Sequence, residues 1–539
     1  MRRHIMSMLA PLAAAGLLLT GGPSAAAATA PPAEFGTDWH DPVTAAPPVD
    51  RPSGRSCTVT LAEAQFRNFT PYKGTYTPPA DCGSDWSKVV LRMDGKVKGR
   101  QYDRLGYLTV GGVEVFKTST PEPSADGIEW SVEKDVTRYA ATFAGPQPVE
   151  MLIGNVVNET YTGVLDVKVT LTFYAGQKAD APDRVLTLAG ARNEGTTYSG
   201  DLTTPRNSER IVAEVYATGS GGGCEEFWYT TVPDAHPYSC KASDGPYREV
   251  QIRVDGELAG IAAPYPHIYT GGWSNPFLWY VIPAPRAFDI QPVRYDLTPF
   301  AGLLNDGRPH RVEVSVLGVP QGQSGWSLPT NVLVWQDAGS SVVTGGLTAH
   351  RTAQPEVSDE FTSGDPELTL EAKGSHALTV SGYVDTSHGR VSTTVDRTLW
   401  NASDHTWTEG ENYDELSALW RDTEKVTVAA GGRTTVTSTA RTYSMDGTIT
   451  VDSADRLRTV MELADRAATS VVRDGVTVSS SRLDDTYDGD ASWTLGVPRE
   501  ERHAVGTSRE HYRLTGTDGC YDRVVATVQG FLTEDRAGC

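Results

Sequence analysis

Four short stretches of the chain gather the residue types that proton-transfer chemistry uses. In Gly99-Arg-Gln-Tyr-Asp-Arg104 two arginines flank Asp103, immediately before an apolar run from Leu105 to Val115. Thr118-Ser-Thr-Pro-Glu-Pro123 leads into an acidic, aromatic segment from Gly127 to Asp135. Cys224-Glu-Glu-Phe-Trp-Tyr229 follows a glycine-rich tract, and Thr270-Gly-Gly-Trp-Ser-Asn-Pro-Phe-Leu-Trp279 is aromatic, polar and turn-rich at once. Carboxylates beside arginines and aromatic rings suit general acid–base work and contact with carbohydrate. Each stretch also has a plainer meaning. An Asp–Arg pair is commonly a surface or interstrand ion pair. Adjacent glutamates on a strand point to opposite faces, so at most one of Glu225 and Glu226 can face a cleft. Trp273, Phe277 and Trp279 are equally core material.

Other catalytic signatures are missing from the sequence. There is no Gly-x-Ser-x-Gly elbow; Gly322-Gln-Ser-Gly325 comes nearest, with Trp326 in place of the last glycine. No His-Glu-x-x-His occurs, and the 11 histidines are scattered without ligand spacing. The tract from Gly219 to Gly223 lacks the Lys-Ser/Thr of a phosphate loop. Neither a metal nor a cofactor is called for.

The elements that must position these residues are strands. Val167, Val169, Leu171 and Phe173 alternate with polar neighbours, as do Val250, Ile252 and Val254, and Val312, Val314 and Val316. Asp-Gly pairs at Asp94, Asp255, Asp446 and Asp474 read as hairpin turns, because both turn residues must accept positive φ. The best helical candidate is Asp414 to Trp420. A faint duplication is visible: Asp135-Val-Thr-Arg-Tyr139 and Asp296-Leu-Thr-Pro-Phe300 each precede a strand. In each the Asp caps a short turn and the aromatic packs beneath it. Two β-sandwiches in tandem are expected, at 56–178 and 179–340, followed by a third β-rich region over 350–539. The acidic, turn-rich stretch from Ser358 to Pro366 reads as a boundary.

Arg2 and Arg3, an apolar run from Leu9 to Leu19 and small residues to Ala28 form the layout of a secretory signal peptide over 1–28. Residues 29–55, rich in Pro and Ala, read as a flexible leader. A formal net charge of -21 without a basic patch excludes a nucleic-acid partner, and no apolar run is long enough to cross a membrane. Six cysteines fall into three local couples, Cys57 with Cys82, Cys224 with Cys240 and Cys520 with Cys539, the pattern of a secreted, disulfide-bonded protein. Composition and spacing alone stop at a secreted multidomain β protein with carbohydrate-active features.

The ordered motifs go further. Tyr76-Thr-Pro-Pro-Ala-Asp-Cys82, Gly99 to Arg104, Ser119 to Pro123, Asp135 to Tyr139, Gly154-Asn155, Cys224 to Tyr229, Arg248-Glu-Val250, Val254-Asp-Gly256, Tyr269 to Gly272 and Thr298-Pro-Phe300 together resemble the peptide-N-glycosidase A family. These are glycopeptide asparagine amidases, and the chain is similar to a bacterial-type member. A looser likeness joins Tyr102-Asp103-Arg104 and Cys224-Glu225-Glu226-Phe227 to motifs of the flavobacterial peptide-N-glycosidase F, which folds as two adjacent jelly rolls. The resemblance implies an all-β fold: two adjacent jelly-roll-like antiparallel β-sandwiches plus a C-terminal β-rich domain. It implies Asp103 and Glu226 as the catalytic pair in a cleft between the sandwiches, Arg104 as a substrate-positioning group, and Glu225 facing elsewhere. A further acidic position of that enzyme falls near Asn155. Asn155 and Arg248 join the substrate-binding set, and Trp228, Trp273 and Trp279 are expected to flank the cleft and stack on sugar.

The implied reaction cuts the side-chain amide of glycosylated asparagine, leaving aspartate and a glycosylamine. Two carboxyl groups divide such work if their environments push their pKa values apart. The implied partners are N-glycosylated peptides or glycoproteins, acted on by a secreted monomer without cofactor. A glycan-binding β-sandwich protein without catalysis and an endoglycosidase are the alternatives.

Overall fold

The computed structural model describes residues 30–220, 223–319 and 325–539, apart from the side chains of Cys82 and Ser274. The expected signal peptide, the glycines at 221 and 222 and most of the stretch before Gly325 lie outside the described residues. Strands dominate, and their alternating burial explains them. In Leu165–Ala175, Val167, Val169, Leu171 and Phe173 are buried while Asp166 and Lys168 are exposed.

The first eight strands form a jelly roll. One sheet runs Ser56–Phe66, Leu165–Ala175, Trp86–Val97, Ile128–Asp135; the other runs Tyr72–Tyr76, Gln147–Ile153, Leu105–Val110, Val113–Ser119. Counted along the chain these orders are first–eighth–third–sixth and second–seventh–fourth–fifth, which defines two nested Greek keys. Residues 184–336 repeat the path. One sheet is Val293–Asp296, Ser208–Val215, Thr330–Gln336, Arg184–Thr187, and the other is Thr197–Leu202, His310–Leu317, Glu249–Val254, Glu257–Ala262 with Ala189–Glu194 added at one edge. The faint sequence duplication is this repetition. Asp135 and Asp296 each accept the backbone N–H of a threonine at 2.9 Å, opening the 3-10 turns Thr137–Tyr139 and Thr298–Phe300 whose aromatics are buried.

The two jelly rolls meet along Val113–Ser119, a strand in which every residue is buried. Polar bonds cross the interface here: Asn331 brackets the Glu114 backbone at 3.1 and 2.8 Å, and the Lys117 ammonium donates to the Tyr216 carbonyl at 3.2 Å and the Ser327 hydroxyl at 3.0 Å.

Residues 344–538 make a single antiparallel meander of 11 strands, six of them 18–20 residues long. At ~3.3 Å per residue such strands reach ~60 Å, enough to lie along the second jelly roll. Leu416, Ala418, Trp420, Tyr443, Met445, Met461 and Tyr487 on its covered face belong to the same apolar core as Trp228, Trp273 and Trp279. The sheet begins at Thr344–Thr352, and the stretch expected as a boundary, Ser358 to Pro366, lies within it. Asp414 to Trp420 is part of strand Tyr413–Ala430 rather than a helix, since Asp414, Leu416, Ala418 and Trp420 are buried at a period of two. Asp255-Gly256 and Asp474-Gly475 form the expected turns with φ of 50° and 87°, and 49° and 81°. Asp94-Gly95 and Asp446-Gly447 instead sit mid-strand, where the glycine makes room for a tryptophan ring.

The leader is pinned rather than flexible. Trp39 stacks on Tyr280 at 4.0 Å, Phe35 packs on Phe277 at 4.9 Å, and backbone bonds join Phe35 to Ala504, His40 to Gly530 and Val43 to Val281. Farther along, Ala45 donates its N–H to Glu510 at 2.6 Å. Glu510 and Asp485 are neighbours buried between this strap and the sheet, where desolvation pushes both carboxyls upward. Groups whose folded pKa is raised stabilise the fold most below the ordinary carboxyl range, and that stability is lost as pH rises through the folded value. Asp485→Asn should therefore raise the thermal midpoint at pH above about 7 and flatten its decline from about pH 5. A calorimetric series showing a parallel wild-type and variant decline would contradict the buried acid pair.

Candidate active site

Four loops converge between the jelly rolls. The turn 98–104 carries Asp103, the segment after Val113–Ser119 carries Glu122, the 3-10 stretch Gly223–Thr230 carries Glu226, and the long connection 263–292 carries Tyr269 and Gly271. A Cβ on Gly271 would lie 2.9 Å from Asp103 Oδ1 and 3.5 Å from Glu122 Oε1, so the two carboxyls meet over a glycine that no larger residue can replace without displacing them. The Thr270 hydroxyl donates to the Thr120 carbonyl at 3.0 Å and fixes this loop to the segment bearing Glu122.

Burial sets the electrostatics. Asp103 is pushed up to about 6 by desolvation, opposed by the backbone N–H of Gly271 and by the Arg104 charge. Glu226 rises to about 7, through desolvation and then through the neighbouring Asp103. Glu122 is carried well above the usual carboxyl range by desolvation and by Asp103, and its Oε1 has no protein partner. Tyr269 is raised by burial and then by the nearby charges of Glu226 and Asp103. Near neutral pH the arrangement holds an ionised aspartate beside carboxyls that keep their protons, one partner ready to take a proton and others ready to give or share one.

Arg104 is fixed from behind. Its backbone N–H donates to Thr120 Oγ1 at 3.0 Å, its Nε donates to Asn155 Oδ1 at 3.3 Å, and a terminal guanidinium nitrogen donates to Gln101. Gln101 is anchored to the carbonyls of Val156 and Gly163 at 2.9 and 3.1 Å. At the rim Tyr102 is 47% exposed, with the Tyr161 ring 5.1 Å away and the Arg100 guanidinium over that ring at 5.7 Å.

A family model described as peptide N-acetyl-beta-D-glucosaminyl asparaginase amidase A matches residues 42–353, more than half of the chain. The chain belongs to this family. A relative from Prunus dulcis, a peptide-N4-(N-acetyl-beta-glucosaminyl)asparagine amidase A, is 30% identical over 381 residues, covering 64% of this chain and 66% of its own length. This chain thus spans just under two thirds of that relative. Among solved structures, recombinant peptide:N-glycanase F is similar at a TM-score of 0.36 and 13% identity over 53% of this chain and 97% of that one. PNGF-II is similar at a TM-score of 0.39 and 15% identity over 52% and 65%. Likenesses of that size support no inference about the site.

In this member of the amidase A family, Asp103, Glu226 and Arg104 gather at one place. The remaining expectations for substrate contact meet a different geometry. Asn155 is fully buried and spends every polar atom inside the protein: its carbonyl accepts from Arg104 and Val156, its amide donates to Phe66 at 2.9 Å and Gly163 at 3.2 Å. It positions Arg104 rather than meeting substrate. Arg248 is a buried anchor, bonded to Glu225 at 2.8 and 3.3 Å and to the carbonyls of Gly245 and Tyr247 at 2.8 and 3.0 Å. Glu225 also accepts the Trp326 indole N–H at 2.5 Å, which turns it inward and leaves Glu226 facing the cleft. Trp228, Trp273 and Trp279 are 2%, 5% and 1% exposed and offer no face to a sugar. They pack on the long sheet: Trp228 meets Trp420 at 5.5 Å, Trp279 stacks on Tyr487 at 4.7 Å, and Trp273 fills the hollow at Gly447.

Cys224–Cys240 ties down the segment bearing Glu226, and Cys520–Cys539 fastens the last strand of the sheet. Cys57 is also disulfide-bonded. Residues that the sequence did not single out individually are Glu122, Tyr269 and Gly271. Glu122 had a visible signal, a lone carboxylate between two prolines, and Gly271 sits in a Gly-Gly pair beside aromatics; Tyr269 opens one of the quoted motifs but had no signal of its own type.

Arg248→Met should break a fully buried ion pair and cost about 3–5 kcal/mol of stability, measured by denaturant unfolding. A variant of wild-type stability with only a raised KM would return Arg248 to the substrate-binding set.

Proposed function

We propose that this protein hydrolyses the side-chain amide of N-glycosylated asparagine in glycopeptides or glycoproteins, with Asp103 as base and Glu226 as acid. The observation that carries this reading is the convergence of Asp103, Glu122 and Glu226 in one buried cleft with separated proton affinities, in a chain of the amidase A family.

The amide is a weak electrophile with a poor leaving amine, so water must be activated and the departing nitrogen protonated. Asp103, ionised above about 6, takes a proton from water as its oxygen bonds to the amide carbon. The carbonyl becomes an oxyanion, which the Arg104 charge favours. The C–N bond then breaks, the carbonyl re-forms, and Glu226, protonated up to about 7, gives its proton to the glycosylamine nitrogen. The products are aspartate and the glycosylamine. Glu122, also protonated, donates a hydrogen bond to the sugar or the amide. The rings of Tyr102 and Tyr161 supply the apolar face for the glycan that the buried tryptophans do not.

Every group of this scheme comes from one chain, so a monomer suffices. Secretion is the setting we propose: residues 1–28 have signal-peptide layout, and disulfides are formed.

kcat/KM for a purified N-glycopeptide should follow a narrow bell, rising as Asp103 ionises near 6 and falling as Glu226 ionises near 7. Glu226→Gln should lower kcat by on the order of 10²-fold or more and erase the alkaline limb; an unchanged limb would remove Glu226 from the acid role. Asp103→Asn should keep the fold, by circular dichroism and thermal melting, and lose turnover; a rate within a few-fold of wild type would overturn the assignment of the base.

A further inference from the structure

The connection that bears Tyr269 and Gly271 is held from outside the two jelly rolls. Where it passes 273–280 it leans on the long C-terminal sheet. The Leu278 carbonyl accepts two hydroxyls, from Tyr487 at 2.6 Å and Ser508 at 2.5 Å. The Asn275 amide donates to the Ala491 carbonyl at 2.8 Å, and Thr459 donates to the Trp273 carbonyl at 3.3 Å. Two side chains enter hollows that only glycine leaves open: a Cβ on Gly447 would lie 2.9 Å from the Trp273 ring, and one on Gly489 would lie 2.8 Å from Leu278. Both glycines interrupt long strands, where a glycine weakens the strand unless something approaches closely.

These contacts return to the site through the backbone. The Trp279 indole, stacked on Tyr487, donates to the Gly272 carbonyl at 3.1 Å, and the Gly272 N–H donates to Tyr269 at 2.8 Å. Gly271, packed so closely on Asp103 that a Cβ there would lie 2.9 Å from its Oδ1, lies inside that turn. Trp273 is held at φ 55°, a left-handed conformation rare for a bulky residue, which persists only where surroundings impose it.

We infer that the C-terminal sheet is part of the catalytic apparatus, with Tyr487 as a positioning residue that, through Leu278 and Trp279, holds the Gly271 N–H against Asp103. The sheet is then neither a spacer nor a separate binding module. Its link to turnover rests on the amidase reading above; its link to the loop does not.

Two readouts test this with the full-length mature chain. Tyr487→Phe keeps the ring stack and removes the hydroxyl. Hydrogen–deuterium exchange of peptides covering 268–280 should speed up, while peptides from Leu165–Ala175 stay at the wild-type rate. On a glycopeptide, kcat should fall by on the order of ten- to a hundredfold with KM little changed. The acid limb should also move to higher pH, because Asp103 without the Gly271 N–H holds its proton longer. Ser508→Ala carries the same test should Tyr487→Phe fail to fold. Unchanged exchange over 268–280, or faster exchange with kcat and the acid limb at wild-type values, would overturn the inference. An inactive wild-type protein would overturn the amidase reading and leave the exchange result to decide the loop contact.

Discussion

Carboxyl groups do not gather in a water-poor cleft without help: each resists ionising there, and each makes the next harder to ionise. Asp103, Glu122 and Glu226 are in this position, and much of the molecule is arranged around it. Asp103 is favoured as the ionised member because it alone of the three has the Gly271 N–H, with the Arg104 charge added. The burial that lifts all three groups makes the site a thermodynamic burden that grows as pH rises, since the folded chain holds these protons more tightly than the unfolded one. Stability to tolerate it must come from elsewhere.

Much of that stability is in the seam between the second jelly roll and the long sheet. One apolar core runs without a break from the first sandwich to the sheet. Across the seam, buried charges are paired: Arg286 grips Asp465 at 2.5 and 2.8 Å, His376 meets Glu249 at 2.8 Å, and the Tyr238 hydroxyl donates to Asp414 at 2.6 Å. Pairs of this kind add little net stability against an apolar alternative, but they penalise any misplacement of the two surfaces severely. The seam therefore fixes register as much as it adds strength, and register is what the Gly271 loop needs.

Strands and their tandem arrangement were legible in the sequence because a period of two and a repeated Asp-capped turn are local signals. Ordered motifs resembling a family also singled out Asp103, Arg104 and Glu226, which the fold brings together and to which we assign the chemistry. What stayed hidden depends on long-range packing. The alternation of Leu416, Ala418 and Trp420 is as clear as any, yet a short apolar, polar and acidic run reads equally as helix until its partner strands are known. Asp446-Gly447 looks like a turn; its glycine exists for a tryptophan more than 170 positions earlier in the chain, which only the fold brings near. Trp228, Trp273 and Trp279 sit among polar and turn residues as a sugar platform would, but the surface that buries them belongs to the C-terminal sheet. The Pro-rich leader has no periodicity and still docks, because Phe35 and Trp39 find aromatic partners on the loop at 277–280.

The central claim is that one cleft, built by two jelly rolls, cuts the amide and not the sugar. Mass spectrometry of a purified N-glycopeptide, incubated with the mature protein in heavy-oxygen water, addresses it most directly. The account predicts aspartate carrying one heavy oxygen at the former glycosylation site and release of the complete glycan. Asparagine still bearing a single sugar, or a glycopeptide unchanged at every pH from about 5 to 8, the range spanning the shifted carboxyls, would contradict it.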